Sequence, residues 1–417
     1  MSQFTTDSAA TQSSPTNPSL TSLRRALALT ALSVGAFGLG ISEFATMGVL
    51  GSIAEDLVPN YFNAPEAGIA QAGAMVSAYA LGVFIGAPLI SVLFARRPQH
   101  SLAPWLLLTL ALANLLTAVI GGLLPSVAVR FLAGLPHGAY LGLAALLAGY
   151  LLGPGMQARG VAFALSGLTV ANVVGVPLAT WVGQSVSWRW IFVAIAVLFV
   201  LAAAVLKTVL PTVPGDPGTS IRSELKAFTR PRFWLVIAVG MIGFGGFFAI
   251  YTYLAEAAMT VAGLEASLTP FLLAAIGLGM VFGNIIGGAG ADRNMRRTAI
   301  FGLVALVASL LAYLLVAMHP AGIFITAFLV GLTAWTFTPA VQSWLIDAAE
   351  EQRLLGSAMN HAAFNAANSI GAWSGGAVIA LGYGMLAPAW VGIALAGGGL
   401  VLIFVTMALE RRMKVAS

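Results

Sequence analysis

Glu43 stands in the run Phe37-Gly38-Leu39-Gly40-Ile41-Ser42-Glu43-Phe44, with apolar residues for about a dozen positions on either side. A carboxylate at that depth in a membrane costs several kcal/mol unless it is protonated, paired or wetted by a cavity. A group that holds and releases a proton there is what a proton-coupled carrier needs. Arg130 and His137 lie seven residues apart, two helical turns, and so project from one face of their helix. Glu43 and His137 each fall roughly 16 Å below the same surface, counting 1.5 Å per residue. If their helices face each other, the two side chains can share a proton or grip a polar substrate together. The alternatives stay open: a permanently protonated Glu43 donating to a backbone carbonyl, and a neutral His137 satisfied locally. Arg130 is only about 6 Å deep by the same count, so snorkelling to water is cheap, and plain interface anchoring stands as the alternative to a role in proton handling.

No catalytic constellation accompanies these residues. The chain has no cysteine, and His100, His137, His319 and His361 are scattered without metal spacing. There is no phosphate-binding glycine loop and no nucleophile elbow. The expectation is a protein that is not an enzyme and holds no cofactor or metal. Energy would then come from an ion gradient.

The elements that position these groups follow from composition. Of 417 residues, 59% are hydrophobic and 8% charged, against about 25% charged in a soluble domain, and mean hydropathy is +0.95. Long continuous apolar stretches predict an all-α integral membrane protein and exclude an alternating β-barrel. Windows fall at 26–54, 68–94, 102–123, 127–151, 159–185, 188–210, 233–256, 267–290, 298–318, 321–346, 355–383 and 387–409, numbered here as spans 1 to 12. The expected organisation is a disordered tail over 1–22, a first bundle over 23–210, a linker over 211–232, and a second bundle with a short tail over 233–417. Seventeen of the 19 basic residues sit in segments on one side of the membrane, Arg130 and Arg189 excepted. The positive-inside rule therefore places both termini and the linker in the cytoplasm. Orientation explains the basic excess, and no nucleic-acid partner is expected. Glu55, Asp56, Glu66 and Glu265 fall on the opposite side, where Glu265 and Glu256 are expected to be solvated.

The two halves repeat. Gly82-x3-Gly86 recurs as Gly279-x3-Gly283, and Phe131-Leu-Ala-Gly134 as Phe328-Leu-Val-Gly331, both at an offset of 197. Ala171-Asn172-x2-Gly175 recurs as Ala367-Asn368-x2-Gly371 at 196. Parallel six-span repeats belong to carriers that rock one half against the other around a central site. Arg130 maps to Ala327, His137 to Ala334 and Glu43 to Ile250, so proton handling is expected in the first half alone. The second half offers amides and aromatics instead. The substrate-cavity candidates are Tyr251, Trp335, Gln342, Asn365 and Asn368, with Asn172 from the first half. Pro177 removes a helix hydrogen bond, and with Asn172 and Gly175 it marks an expected kink in span 5 that could seal the seam between the halves.

These features resemble the major facilitator superfamily over about residues 24–410. More narrowly, they resemble its twelve-span drug:proton antiporters, in the branch of arabinose or sugar efflux permeases. The residues that carry the resemblance are Ser42-Glu43-Phe44-x2-Met47-Gly48, Gly86-Ala87-Pro88-Leu89, Arg130-x3-Gly134-x2-His137-Gly138, Ala171-Asn172-x2-Gly175-Val176-Pro177 and Trp188-Arg189-x2-Phe192. The resemblance implies twelve transmembrane helices in two six-helix repeats, a monomer, and gating by loop charges. The family's Asp-Arg latch survives as Gly288-x3-Asp292-Arg293 between spans 8 and 9. Its counterpart between spans 2 and 3 is Ala95-Arg96, without the carboxylate. The functional expectation is a secondary transporter in a bacterial cytoplasmic membrane, embedded in lipid, that exports a small organic molecule such as a drug in exchange for protons. Sugar efflux is the alternative. A proton-driven importer and a non-transporting sensor fit less well, the sensor because the longest loop has only about twenty residues.

Overall fold

The computed structural model describes residues 21–94, 97–153, 155–213, 228–350 and 353–416. The expected disordered tail, apart from 21–22, and most of the linker lie outside the described residues. Among the described residues, ten helical runs are long and apolar enough to cross a membrane. One of them, Ala266–Val316, holds spans 8 and 9 together, and span 11 (Arg353–Val378, extended by Ile379–Tyr383) completes twelve. Helix is the form this composition demands, because lipid offers no partner to a free backbone N–H or C=O.

Local sequence sets the helix ends. The Thr21 hydroxyl accepts from the Arg24 amide at the start of span 1, and Ser187 does the same for Arg189 at the start of span 6. Pro65, Pro231 and Pro320 open helices, where the missing N–H has no cost. Spans 8 and 9 are joined by a single non-helical residue, Asn294, whose side chain caps the next helix through the Arg297 amide at 3.0 Å.

Spans 1, 7 and 5 are among those interrupted. Span 1 breaks at Val49 (φ −130°, ψ 22°) into Ser22–Gly48 and Leu50–Leu57. Span 7 breaks at Thr252 and Tyr253 into Pro231–Tyr251 and Leu254–Thr260. Span 5 widens to a π-helical turn over Ala171–Gly175. This is the expected kink, placed where Pro177 leaves a carbonyl without its usual donor.

The repeat is visible as packing. Carbon atoms added at Gly82 and Gly86 would run into the carbonyls of Phe131 and Leu135 on span 4, and at Gly279 and Gly283 into those of Phe328 and Leu332 on span 10. The partners, like the glycines, are 197 residues apart. Small residues let backbones meet where lipid supplies no hydrophobic drive for association. Spans 3, 6, 9 and 12 expose large apolar residues outward, among them Trp105, Leu112, Trp190, Leu201, Phe301, Trp390 and Phe404. Spans 1, 2, 5, 7, 8 and 11 meet across the seam between the halves.

Candidate functional site

Glu43 lies six residues before the break in span 1 and is 7% exposed. Its Oε1 accepts a hydrogen bond from Asn368 Nδ2 on span 11, at 3.0 Å. Its Oε2 stands 3.9 Å from His137 Nε2 on span 4, beyond hydrogen-bond length but with no room for a group between. The other ring nitrogen of His137, Nδ1, bonds the Tyr79 hydroxyl of span 2 at 2.8 Å. The structure thus brings Glu43 and His137 together, and adds Tyr79 and Asn368 to them.

Arg130 does not take the short route to water: the residue is fully buried. Its Nη2 donates to the Ser42 carbonyl at 2.6 Å and its Nη1 to the Ser42 hydroxyl at 3.2 Å. The Ser42 hydroxyl donates in turn to Asn114 Oδ1 at 2.9 Å. The guanidinium also lies 4.0 Å from the centre of the Tyr79 ring and 5.3 Å from that of Phe192. A planar cation with two acceptors and two aromatic faces at hand is better held inside than a short reach to water would hold it. Arg130 and His137 do share a face, and Tyr79 meets both.

The cavity candidates divide. Tyr251 is buried in an aromatic cluster that crosses the seam, 5.8 Å from Phe44 and 5.1 Å from Phe247 between ring centres. Trp335 packs on Phe244, and Phe244 on Phe364. The Trp335 indole N–H is buried without a partner. Gln342 is half-buried. Asn365 Nδ2 donates to the His361 carbonyl at 3.0 Å, and Asn172 Nδ2 to the Leu168 carbonyl at 3.0 Å. Carbonyls only accept, so each amide must turn its NH2 toward them, and Asn172 Oδ1 and Asn365 Oδ1 are left buried and unpaired. The Oδ1 atoms of Asn368 and Asn360 are unpaired as well. Asn172 sits at the seam: its carbonyl faces Gly277 of span 8, where an added Cβ would come within 2.6 Å of it.

Of the gating candidates, Gly86 and Gly175 are packing contacts, Gly175 against Phe37 and Ile41 of span 1. Pro177 follows the π-helical turn. Asp292 and Arg293 are exposed, and a side chain at Gly288 would meet open space. Arg96 lies outside the described residues.

The sequence pattern of the Major Facilitator Superfamily matches residues 32–322. The chain belongs to the major facilitator superfamily. It is 34% identical to the inner membrane transport protein YdhP of Escherichia coli K12, over 91% of this chain and 95% of that one. It is 30% identical to a chloramphenicol resistance protein of Streptomyces lividans, again over 91% and 95%. Among solved structures, that of a D-xylose–proton symporter superposes with a TM-score of 0.68 at 15% identity, covering 90% of this chain and 96% of that one. A major facilitator chain is a membrane transporter of small molecules and not an enzyme.

Two buried carboxylates of this major facilitator chain escaped the sequence reading. Glu256 is not solvated: it is 5% exposed, and its Oε1 accepts from the Gly51 amide of the first half at 2.6 Å. Glu410 gathers the Nε of Arg232 at 2.6 Å, the Nε of Arg296 at 2.8 Å and the indole of Trp344 at 3.0 Å. That network lies within the second half, at its basic end. Tyr79 and Asn114 carry no local pattern that separates them from ordinary span residues. Only the fold brings them to Arg130 and His137.

Proposed function

We propose that this transporter exports a small organic molecule in exchange for protons, from a bacterial inner membrane in which both termini and the basic face are cytoplasmic. It would work as a monomer, with bundles over 23–210 and 233–417. The observation that carries the reading is the hydrogen bond from Asn368 to Glu43. It joins the one carboxylate at mid-depth of the first half to the amide-bearing span of the second.

Glu43 is the proton carrier, His137 its neighbour in proton exchange, and Arg130 the cation that holds the Ser42 backbone beside it. Trp335, Asn365 and Asn368, with Gln342, Tyr251 and Asn172, form the substrate side. A proton arriving from outside neutralises Glu43 and lets the site close outward and open inward. Cytoplasmic substrate then displaces the proton, and the loaded carrier turns outward. Uncoupled turnover is suppressed because a bare carboxylate in a closed, dry site is costly. Asp292 and Arg293, with Arg96, act at the cytoplasmic gate.

The aromatic cluster of Phe44, Phe244, Phe248, Phe364 and Trp335 suits a flat apolar drug, in keeping with the Streptomyces relative. The unpaired carbonyl oxygens of Asn360, Asn365 and Asn368 favour a second reading, a hydroxyl-rich cargo such as a sugar. Inside-out vesicles with an acid lumen and a pH-sensitive dye test both readings. Chloramphenicol, other lipophilic drugs, pentoses and hexoses are added to wild type and Glu43→Gln. Proton release with one compound, absent in the variant, is expected. Tracer transport without proton movement, or an unchanged response in Glu43→Gln, refutes the assignment.

A further inference from the structure

The two halves meet closely at the acidic end. On one side of the seam Gln184 Nε2 of span 5 donates to the Thr269 hydroxyl of span 8 at 2.9 Å and to the Gly48 carbonyl at 3.2 Å. On the other, Tyr253 of span 7 lies against Gly73 of span 2 and Gly376 of span 11, its hydroxyl donating to the Ala372 carbonyl at 2.8 Å. The carboxylate at this end of the seam is that of Glu256. It reaches 205 residues back along the chain to the Gly51 amide.

The break at Val49 explains why that amide is free. A new helix starts at Leu50, and its first amides have no carbonyl one turn earlier to bond. A carboxylate suits this position, because it accepts the amide and lies at the positive end of the helix dipole. Here the cap comes from the other half of the molecule. The carboxylate is seated directly against Gly51. A Cβ at that position would lie 2.5 Å from Glu256 Oε1 and 2.9 Å from both Cδ and Oε2. The break, the glycine and the carboxylate therefore form one device. When the halves part at this end, the cap is lost and both groups return to water.

We propose that Glu256 is the latch of the acidic-end gate: its carboxylate caps the helix Leu50–Leu57 across the seam and holds this end of the carrier shut until the halves rock apart. A charge-assisted hydrogen bond of this kind shifts the ratio of closed to open carrier about tenfold or more. The inference requires no particular cargo or coupling ion.

The chain has no cysteine, so spin labels can be placed without background. Ser267 and Asn63, both exposed at the acidic end on opposite halves, take one pair (Ser267→Cys, Asn63→Cys). Ser101 and Arg297, both exposed at the basic end, take the other (Ser101→Cys, Arg297→Cys). Electron–electron distances are measured in lipid nanodiscs without substrate. With Glu256→Ala, the acidic-end distances are expected to lengthen and the basic-end distances to shorten, with the open fraction rising about tenfold. Glu256→Gln keeps one acceptor and should fall between wild type and alanine. Gly51→Ala should open the same end. Distances unchanged from wild type in Glu256→Ala overturn the proposal. If that variant does not fold, Glu256→Gln and Gly51→Ala decide in the same way, a shift in both supporting the latch and no shift in either refuting it. Because no substrate is present, the result stands apart from whether proton antiport itself is found.

Discussion

Asn368 Nδ2 lies 3.0 Å from Glu43 Oε1, and the bond joins span 11 of the second half to span 1 of the first. The same amide keeps its Oδ1 buried and unpaired. One end of the side chain therefore touches the proposed proton site, while the other lacks a donor that a cargo could supply. Asn365, three residues earlier, instead bonds the His361 carbonyl of its own helix.

Replacing the two asparagines should separate binding from coupling. Asn365→Ala is expected to raise the apparent KM for the transported compound several-fold and leave the ratio of protons to cargo intact. Asn368→Ala is expected to reduce proton release per cargo at least tenfold, since the contact between the sites is gone. Tracer flux and dye response measured on the same vesicles give that ratio.

Arg130 should tolerate no substitution well, lysine included. Removing it in Arg130→Ala takes the guanidinium from the Ser42 carbonyl and hydroxyl and should cost about 1–3 kcal/mol of stability. Arg130→Lys keeps the charge but cannot bond both Ser42 oxygens in a fork or lie flat on Tyr79, so it should recover only part of that loss. Thermal unfolding of purified protein in detergent provides the comparison.

The glycines sort by what an added carbon would meet. Gly86→Val and Gly283→Val push side chains into the carbonyls of Leu135 and Leu332, so both should lower the yield of folded protein sharply, and by similar amounts in the two halves. Gly288→Ala points into open space and should fold as wild type does. If its transport rate falls nonetheless, Gly288 is needed in another conformation of the carrier. Fluorescence-detected gel filtration separates the two groups.

Glu410→Ala leaves Arg232, Arg296 and Trp344 without their shared acceptor. These arginines are partly exposed and regain some water, so a loss of about 1.5–3 kcal/mol is expected. It should appear as a lowered melting temperature with proton coupling unchanged in the protein that remains folded.

How much was legible follows a physical line. Helix is compulsory in lipid, so apolar length alone located the spans, and the single-residue joint at Asn294 falls within the gap left between spans 8 and 9. The 197-residue offset marked the glycines whose contacts with spans 4 and 10 proved equivalent. Glu43 stood out because an ionisable group in an apolar run is expensive and therefore rare. The partners of Arg130 were not legible, because depth along a helix says nothing about what lies beside it, and the two Ser42 acceptors come from another span.

The sequence by itself determined a helical membrane transporter of two related halves with a carboxylate at mid-depth, because hydropathy and repetition are properties of consecutive residues. The tertiary structure decided which groups meet. Asn368 on Glu43, Tyr79 on His137 and Arg130, and Glu256 on Gly51 are contacts between residues 51 to 325 positions apart. Such contacts depend on helix rotation, on breaks such as that at Val49, and on how closely glycine lets two backbones approach. No local pattern encodes them, because each is fixed only when both surfaces are packed.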